Sequence, residues 1–355
     1  MNPLKELREV AKTDARPLSY RNANKEKTAA EEIHMTVDQR TQPTPSNTLI
    51  TDLLDAMDKL FGLHPGFRPV HAKGVMCSGV FTPSSQAASL TRAPHASRAS
   101  TPVVVRFSNF AGVPTVPDND PNNAGPRGFA VRFSLAEHVH TDIIGHSHDG
   151  FPTRTGEEFL ELAQALASSG PDAAAKPTAL DNFLAKHPKA KRFLEDPKPV
   201  PASYATESYF AVTAFKFTNK DGQSRFGRFR IRPESGNEYL TSAQAQSKSD
   251  NFLADELSQR LNKGPVKLRV FVQMAAPEDN ISDSTVIWPD TRQQVEFGTI
   301  TLKERVNEND PEMRKIIFDP IPRVDGIEPS DDPLIEVRSA LYLMSGRRRR
   351  AASTS

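Results

Sequence analysis

The sequence has little cysteine or tryptophan, almost no net charge and no long hydrophobic run. Its single cysteine, Cys77, cannot form an internal disulfide, which excludes a disulfide-stapled scaffold and fits a reducing compartment. Its 45 basic and 44 acidic residues give no electrostatic reason for a nucleic-acid partner or an acidic substrate. No stretch approaches the roughly 18 apolar residues of a membrane span, and the N-terminus lacks the apolar core of a secretion signal. These absences predict a cytoplasmic protein without a membrane partner.

Proline and phenylalanine, in contrast, are plentiful, with 29 and 20 residues in a chain of 355. Prolines favour turns and irregular connections, and the phenylalanines are expected to line the interior. A chain of this length can bury a substantial core around a ligand.

The polarity of the chain divides it into three regions. Residues 1–48 are polar and indicate an N-terminal arm that packs on the body or on a partner subunit. Residues 49–346 carry the periodic apolar patterns of one domain. Residues 347–355 are predicted to form a basic and polar tail. The run Arg347–Arg350 is interpreted as solvated, because no aromatic residues interleave with it.

Strand patterns dominate the middle of the chain, between helical patterns. Helices are predicted at 46–62, from Thr155 to about 197 with a break at 170–171, and at 331–346, where Gly346 ends the last one. Strands are predicted at 70–81, 101–110, 127–135, 266–275 and 294–302, and as a hairpin around Asp221-Gly222. About six to eight antiparallel strands with flanking helices predict an α+β domain built on a barrel or a strongly curved sheet.

The last predicted helix carries a possible metal ligand. Arg338 and Tyr342 are four residues apart and share a helix face. An arginine in contact with a phenol favours the phenolate, which is an anionic ligand for ferric iron, and tyrosine is a known proximal ligand of haem. Taken alone, the pair also fits an amphipathic helix on which the two side chains meet by chance.

The segment FRPVHAKG, residues 67–74, places His71 close to two cations, Arg68 and Lys73. His71 is either a surface histidine on a strand or a general base in a pocket whose rim binds an anion. If haem lies beside it, Arg68 and Arg106 have partners in the propionates. Ser108 could then hydrogen-bond an imidazole nitrogen and fix its tautomer.

Four motifs occur in the order RPVHAKG, VVVRFSNFAG with PRGFAVRF, FDPIPRVDGIEPSDDP, and Arg338-x-x-x-Tyr342. Together they resemble the monofunctional haem catalase family, and specifically its short branch of catalase-related haem peroxidases, over residues 53–344. The resemblance implies a catalase-like barrel, haem b, reduction of hydrogen peroxide or organic hydroperoxides with an organic electron donor, and a monomer or homodimer.

The resemblance also assigns roles to individual residues. His71 corresponds to the distal histidine, which takes a proton from peroxide and returns it to the leaving oxygen, and Ser108 orients it. Tyr342 corresponds to the iron ligand that Arg338 tunes. The residues assigned to the cofactor are Arg68, Val70, Arg106, Phe159, Arg338 and Tyr342.

One segment departs from the family pattern. His146 and Ser147 stand where the family has asparagines, and an imidazole can donate the same hydrogen bond but can also ionise near neutrality. We therefore count His146 among the catalytic candidates and expect the balance of dismutation and donor oxidation to change with pH.

Histidines are also dense in this segment. His138, His140, His146 and His148, with Asp142 and Asp149, could bind a divalent ion, or form an exposed polar loop at a pocket mouth. Two other functions stay open for the whole chain: transformation of fatty-acid hydroperoxides, as in catalase-related allene oxide synthases, and haem binding without turnover.

Overall fold

The structure is a computed structural model that describes residues 44–352, except 123, 171–172, 174–175 and 308–309. Most of the predicted N-terminal arm, and the last three residues, lie outside the described residues. The helices, in chain order, are α1 (Asn47–Phe61), α2 (Ala87–Leu90), α3 (Gly156–Ser168), α4 (Ala179–Lys186), α5 (Pro188–Glu195), α6 (Ser242–Gln246), α7 (Phe252–Lys263), α8 (Pro311–Lys315) and α9 (Leu334–Ala351). Among the helices of the described part of the chain, none has both the length and the apolarity needed to cross a membrane.

The strands form one antiparallel sheet that closes on itself. They are β1 (Gly74–Pro83), β2 (Thr101–Ser108), β3 (Gly128–Ala136), β4 (Val139–His146), β5 (Tyr209–Phe210), β6 (Phe215–Thr218), β7 (Ser224–Pro233), β8 (Val266–Met274), β9 (Gln294–Val306) and β10 (Ile327–Pro329). Eight of them make a barrel in the order β7-β5-β4-β3-β2-β1-β9-β8, because β7 also pairs with β8. The predicted α+β barrel is confirmed.

Strand β2 shows how the barrel separates its core from the site. Its alternate residues Val103, Val105 and Phe107 point into the main apolar core. The residues between them, Arg106 and Ser108, are also buried but line a cavity outside the barrel. This period of two is what an extended strand requires.

Helices cover that outer face. The N-cap of α1 is Ser46, whose hydroxyl accepts a hydrogen bond from the Leu49 amide (3.1 Å). The buried face of α1 packs against Val337 and Leu341 of α9 in a second apolar cluster, which Phe159 of α3 joins at its edge. The cavity therefore lies between the barrel and the α1–α9 layer.

Two local predictions held, and three need correction. The Asp221-Gly222 turn joins β6 to β7 with Gly222 at φ 77°, and Thr155 is the N-cap of α3. No helix was predicted at residues 252–263, where α7 lies. The histidine-rich segment was expected to form an exposed polar loop, but its residues Val139–His146 form strand β4.

The third correction concerns the C-terminus. Helix α9 does not end at Gly346 but continues to Ala351, through most of the predicted tail. A Cβ on Gly346 would lie 2.4 Å from Ile317 Cδ1. This glycine therefore serves close packing against residue 317 and not helix termination.

Candidate active site

His71 lies in an irregular turn before β1 and not on a strand, which corrects the predicted start of that strand at residue 70. Its backbone adopts φ 58°, in the left-handed region that non-glycine residues rarely enter. The His71 amide donates to the carbonyl of Phe110 (2.7 Å), which fixes the turn against the end of β2. The imidazole is half-buried and lines the cavity.

Three strands supply the row of residues beneath His71. Ser108 of β2 pairs with Gly128 of β3, and Gly128 pairs with His146 of β4, so Ser108 and His146 flank a glycine on one sheet face. A Cβ on Gly128 would lie 2.3 Å from Ser108 Oγ and 2.7 Å from His71 Nδ1. The missing side chain leaves the space that the imidazole occupies.

One imidazole nitrogen of His71 is fixed by two oxygen atoms. Its Nδ1 lies 2.9 Å from the Asn109 carbonyl and 3.1 Å from Ser108 Oγ. Because a carbonyl oxygen only accepts, Nδ1 carries the hydrogen and Nε2 keeps a lone pair. Burial, and then the charge of Arg106, lower the pKa of His71 to about 4, so the ring is a neutral base at neutral pH.

Asn109 is itself held by a buried polar network behind the site. Its amide nitrogen donates to Asp118 Oδ1 (2.8 Å), and its amide oxygen accepts from the Tyr204 hydroxyl (3.0 Å) and from Arg127. Lys73 forms an ion pair with Asp118 (2.9 Å). The carbonyl that orients His71 is therefore part of a rigid frame.

His146 lines the same cavity and carries a buried N–H group. Its Nδ1 accepts from the His148 amide (3.3 Å), so the hydrogen is on Nε2. Within the described residues, Nε2 is buried and has no hydrogen-bond partner. Burial, and then the charges of His148, Arg338 and His71, hold the pKa of His146 well below its usual 6.5. This burial argues against the expectation that His146 ionises near neutrality.

Helix α9 brings Arg338 and Tyr342 together as predicted. The Arg338 guanidinium carbon lies 5.9 Å from the centre of the Tyr342 ring, and its Nη1 donates to Thr213 Oγ1 (3.4 Å). Tyr342 lines the cavity, and its hydroxyl makes no hydrogen bond to the described part of the chain. A phenol oxygen of this kind is available to a metal ion.

A cationic end of the cavity includes a residue that the sequence analysis assigned to a solvated tail. Arg349 is only 6% exposed, and its Nη2 donates to the Ile316 carbonyl (3.0 Å). Burial, and then the like charges of Arg106, Arg350 and Arg314, lower the pKa of Arg349 to about 10. The spacing could have identified it, because Arg349 follows Tyr342 by seven residues, which is two turns on one helix face.

All nine predicted site residues line this single cavity of about 1250 Å³, counted out to its mouth: Arg68, Val70, His71, Arg106, Ser108, His146, Phe159, Arg338 and Tyr342. The remaining wall is largely apolar. A large, flat, apolar group with anionic substituents fits such a site, because guanidinium groups lie at one end of the apolar cavity and the phenol oxygen is available. Haem has these properties, so the residues present fit it.

The histidines of residues 138–148 are not gathered into one cluster, although His146 and His148 are in contact. His138 and His146 lie at opposite ends of the β4 segment, about 26 Å apart at the rise of an extended strand. Over the described ranges, no group of three His, Cys, Asp or Glu residues could hold a metal ion.

Three comparisons with known proteins agree with this geometry. The family model described as Catalase matches residues 27–354. A catalase-related peroxidase from Mycolicibacterium paratuberculosis is 36% identical over 295 residues, covering 82% of this chain and 92% of the relative. One from Synechococcus elongatus is 34% identical over 300 residues, covering 84% and 87%.

Longer catalases match less of their own length. The catalase of Vibrio cholerae is 30% identical over 290 residues, and this chain covers 57% of it. The structure of catalase A from Saccharomyces cerevisiae matches with a TM-score of 0.70 at 21% identity, over 80% of this chain and 61% of that one, which shows a shared fold. With the family model spanning most of its length, the chain belongs to the catalase family, in the catalase-related peroxidase branch.

Proposed function

We propose that this catalase-family oxidoreductase uses haem b to reduce hydrogen peroxide or organic hydroperoxides, with electrons from a second peroxide or from an organic donor. One observation carries the proposal: a neutral histidine with a free lone pair and an available phenol oxygen line the same cavity. The names of the two most similar relatives described above support the peroxidase activity.

Tyr342 and the arginines would hold the cofactor. Tyr342 would ligate the iron through its phenol oxygen, beside the Arg338 guanidinium. Arg68, Arg106 and Arg349 would bind the propionates, and Val70 and Phe159 would pack against the ring. When bound, haem supplies the iron centre that exchanges electrons with peroxide and donor.

His71 would move the proton. Its Nε2 takes a proton from one peroxide oxygen and delivers it to the other, which leaves as water or as an alcohol. Asn109 and Ser108 keep Nδ1 engaged, so the ring presents the same nitrogen in every cycle. A pKa of about 4 means that the base is neutral, and therefore competent, at physiological pH.

His146 would position peroxide without taking part in proton transfer. Its buried Nε2–H is a hydrogen-bond donor without a partner among the described residues, and His146 lines the cavity that it shares with His71. Because its pKa lies well below 6.5, the imidazole offers a neutral donor at neutral pH, as an amide would.

The test is to compare substrates on the purified holoenzyme. We expect consumption of hydrogen peroxide, measured by oxygen release, and peroxide-dependent oxidation of a phenolic donor. If a polyunsaturated fatty-acid hydroperoxide is instead isomerised to an epoxide without a donor, the lipid-transforming function replaces this proposal. If the protein binds haem but none of these substrates reacts, it is a non-catalytic haem protein.

A further inference from the structure

A buried carboxylate, Asp118, lies behind the site and does not line the cavity. It is 1% exposed, and three donors from other parts of the chain surround it. Its Oδ1 accepts from Asn109 Nδ2 (2.8 Å) and lies 2.9 Å from Lys73 Nζ, and its Oδ2 accepts from the Leu253 amide in the first turn of α7 (2.9 Å). Burying a carboxylate costs free energy unless such donors satisfy it, so these contacts fix the position of the group.

The backbone of Asp118 makes a second set of contacts. Its carbonyl accepts from Arg127 Nη2 (2.6 Å), and its amide donates to the Asp250 carbonyl (2.8 Å). The Asp250 carbonyl also accepts from Lys73 Nζ (2.6 Å). Residue 118 therefore joins four segments of the chain: the turn that contains residue 73, the end of β2, the residue before β3 and the start of α7.

Two of these segments border the imidazole of His71. The Asn109 carbonyl lies 2.9 Å from His71 Nδ1. Arg127 precedes Gly128, where an added Cβ would lie 2.7 Å from the same Nδ1. Asp118 therefore holds the surroundings of His71 and not the imidazole itself.

The Asn109 side chain is the most direct link between Asp118 and the base. Its amide nitrogen donates to Asp118, and its amide oxygen accepts from the Tyr204 hydroxyl (3.0 Å) and from Arg127. The Asn109 backbone amide also donates to the Lys73 carbonyl (3.0 Å). Because both ends of the side chain and the backbone amide are bound, the carbonyl of the same residue is held in one direction.

We propose that Asp118 is a positioning residue for His71: through the Asn109 side chain it holds the backbone carbonyl that keeps the imidazole hydrogen on Nδ1 and the lone pair on Nε2. The proposal rests on the function proposed above, in which Nε2 takes a proton from peroxide. Without Asp118 the carbonyl is no longer fixed, and a fraction of the imidazoles carry the hydrogen on Nε2 or turn away. The base fails in that fraction, while haem stays bound because Asp118 lies outside the cavity.

Two ligands of ferric haem separate the positioning of the base from general damage to the site. Hydrogen cyanide is protonated at neutral pH: its carbon bonds to the iron, its C–H bond breaks, and His71 Nε2 takes the proton. Nitric oxide carries no proton and needs no base. Stopped-flow absorption would measure the association rate of each ligand with the holoenzyme, beside the rate of its reaction with peroxide.

Asp118→Ala should slow the reactions with cyanide and with peroxide about tenfold, because the base is misplaced, and should leave the association of nitric oxide unchanged. Asp118→Asn should recover part of the loss. Its side-chain oxygen can still accept from Asn109, but its amide nitrogen faces the Leu253 amide, which is also a donor.

The matched control is Asp279→Ala. The side chain of Asp279 is 6% exposed, pairs with Arg292 (2.8 Å) and accepts from the Ala276 amide (2.8 Å), but it lies outside the cavity. All three rates should stay at the wild-type value in this variant.

A double-mutant cycle tests the route through Asn109. Asn109→Ala alone should slow cyanide association, and adding Asp118→Asn to it should cause little further loss, because both changes break the same link. Losses that simply add would overturn the proposal. So would an unchanged cyanide rate in Asp118→Ala and Asp118→Asn, or cyanide and nitric oxide slowed to the same extent.

Failure of the proposed function gives a different result. If His71→Ala slows cyanide association but the wild-type holoenzyme does not react with peroxide, the peroxidase function is contradicted. The cyanide rates of the Asp118 variants then still decide whether Asp118 positions His71.

Discussion

At the residue scale, His71 is held in a left-handed backbone conformation that costs about 1–3 kcal/mol for a residue other than glycine. The hydrogen bonds from its amide to Phe110 and from its Nδ1 to Asn109 hold it there. Strain of this kind is retained where a side chain must point in one direction. The conformation therefore supports a catalytic role for this histidine.

Replacing His71 by alanine should leave haem bound while slowing the reaction with peroxide, because the base that transfers the proton is lost. General acid–base assistance is worth about 10²–10⁴-fold. Stopped-flow absorption after mixing with peroxide measures this rate. Ser108→Ala is the control and should have a smaller effect, since the Asn109 carbonyl still holds Nδ1. A loss below tenfold in His71→Ala would exclude the base assignment.

His146 can be tested with two substitutions that differ in one property. His146→Gln keeps an N–H donor and should retain most activity, whereas His146→Leu removes the donor and should lose about tenfold. Because the pKa of His146 lies well below 6.5, the ratio of oxygen release to donor oxidation should show no step near pH 6.5 that comes from this residue. A step in this ratio near pH 6.5 that disappears in His146→Gln would show that the ring does ionise.

At the scale of secondary-structure elements, the site depends on neighbouring strands being in register. Ser108, Gly128 and His146 come from three strands, and pairing alone brings them into one row. The individual strands and the Asp221-Gly222 hairpin were predictable from local patterns. The pairing of β7 with β8 was not, because barrel closure depends on contacts between distant parts of the chain.

Gly128→Ala tests whether this row makes room for His71. The new methyl group would lie within 2.7 Å of His71 Nδ1, so the imidazole must move. We expect haem to remain bound and the reaction with peroxide to slow by at least tenfold. Gly170→Ala is the matched control, since nothing lies within 4 Å of its added Cβ. Equal rates in the two variants would mean that the imidazole tolerates displacement.

Helix α9 shows what the sequence revealed of the site and what it concealed. The resemblance to the catalase family, carried by the order of the motifs, was sufficient to assign all nine predicted cavity residues. Arg349 was missed because a run of four arginines resembles a solvated tail. Only the packing of Gly346 against Ile317 reveals that the helix continues and buries one of them.

At the scale of the whole molecule, the stability of the barrel should depend on a second histidine. His95 is 1% exposed and is surrounded by the aromatic rings of Phe81, Phe133 and Phe297. Burial, and then the charge of Arg98, lower the pKa of His95 to about 4. As the pH falls, the unfolded chain therefore takes up this proton before the folded protein does. The contribution of His95 to the free energy of unfolding is therefore lost as the pH falls from about 6.5 to 4.

His95→Leu should make the melting temperature less sensitive to acid in that range. The lowering of the His95 pKa to about 4 corresponds to about 3 kcal/mol of pH-dependent stability at most. Calorimetry of the wild type and the variant at about pH 7.5, 6 and 5 would measure the effect. If the melting temperatures of the two proteins fall in parallel with pH, His95 is protonated in the folded state or other groups dominate the acid sensitivity.

The central claim is that the Tyr342 phenolate holds the iron of haem, and the absorption spectrum of Tyr342→Phe tests it most directly. Phenylalanine offers no oxygen to ferric iron, so we expect the variant to lose most of its haem and any remainder to lack the spectrum of a tyrosinate complex. Tyr239→Phe, which changes a tyrosine outside the cavity, should keep both haem and spectrum. Full haem content with an unchanged spectrum in Tyr342→Phe would contradict the claim.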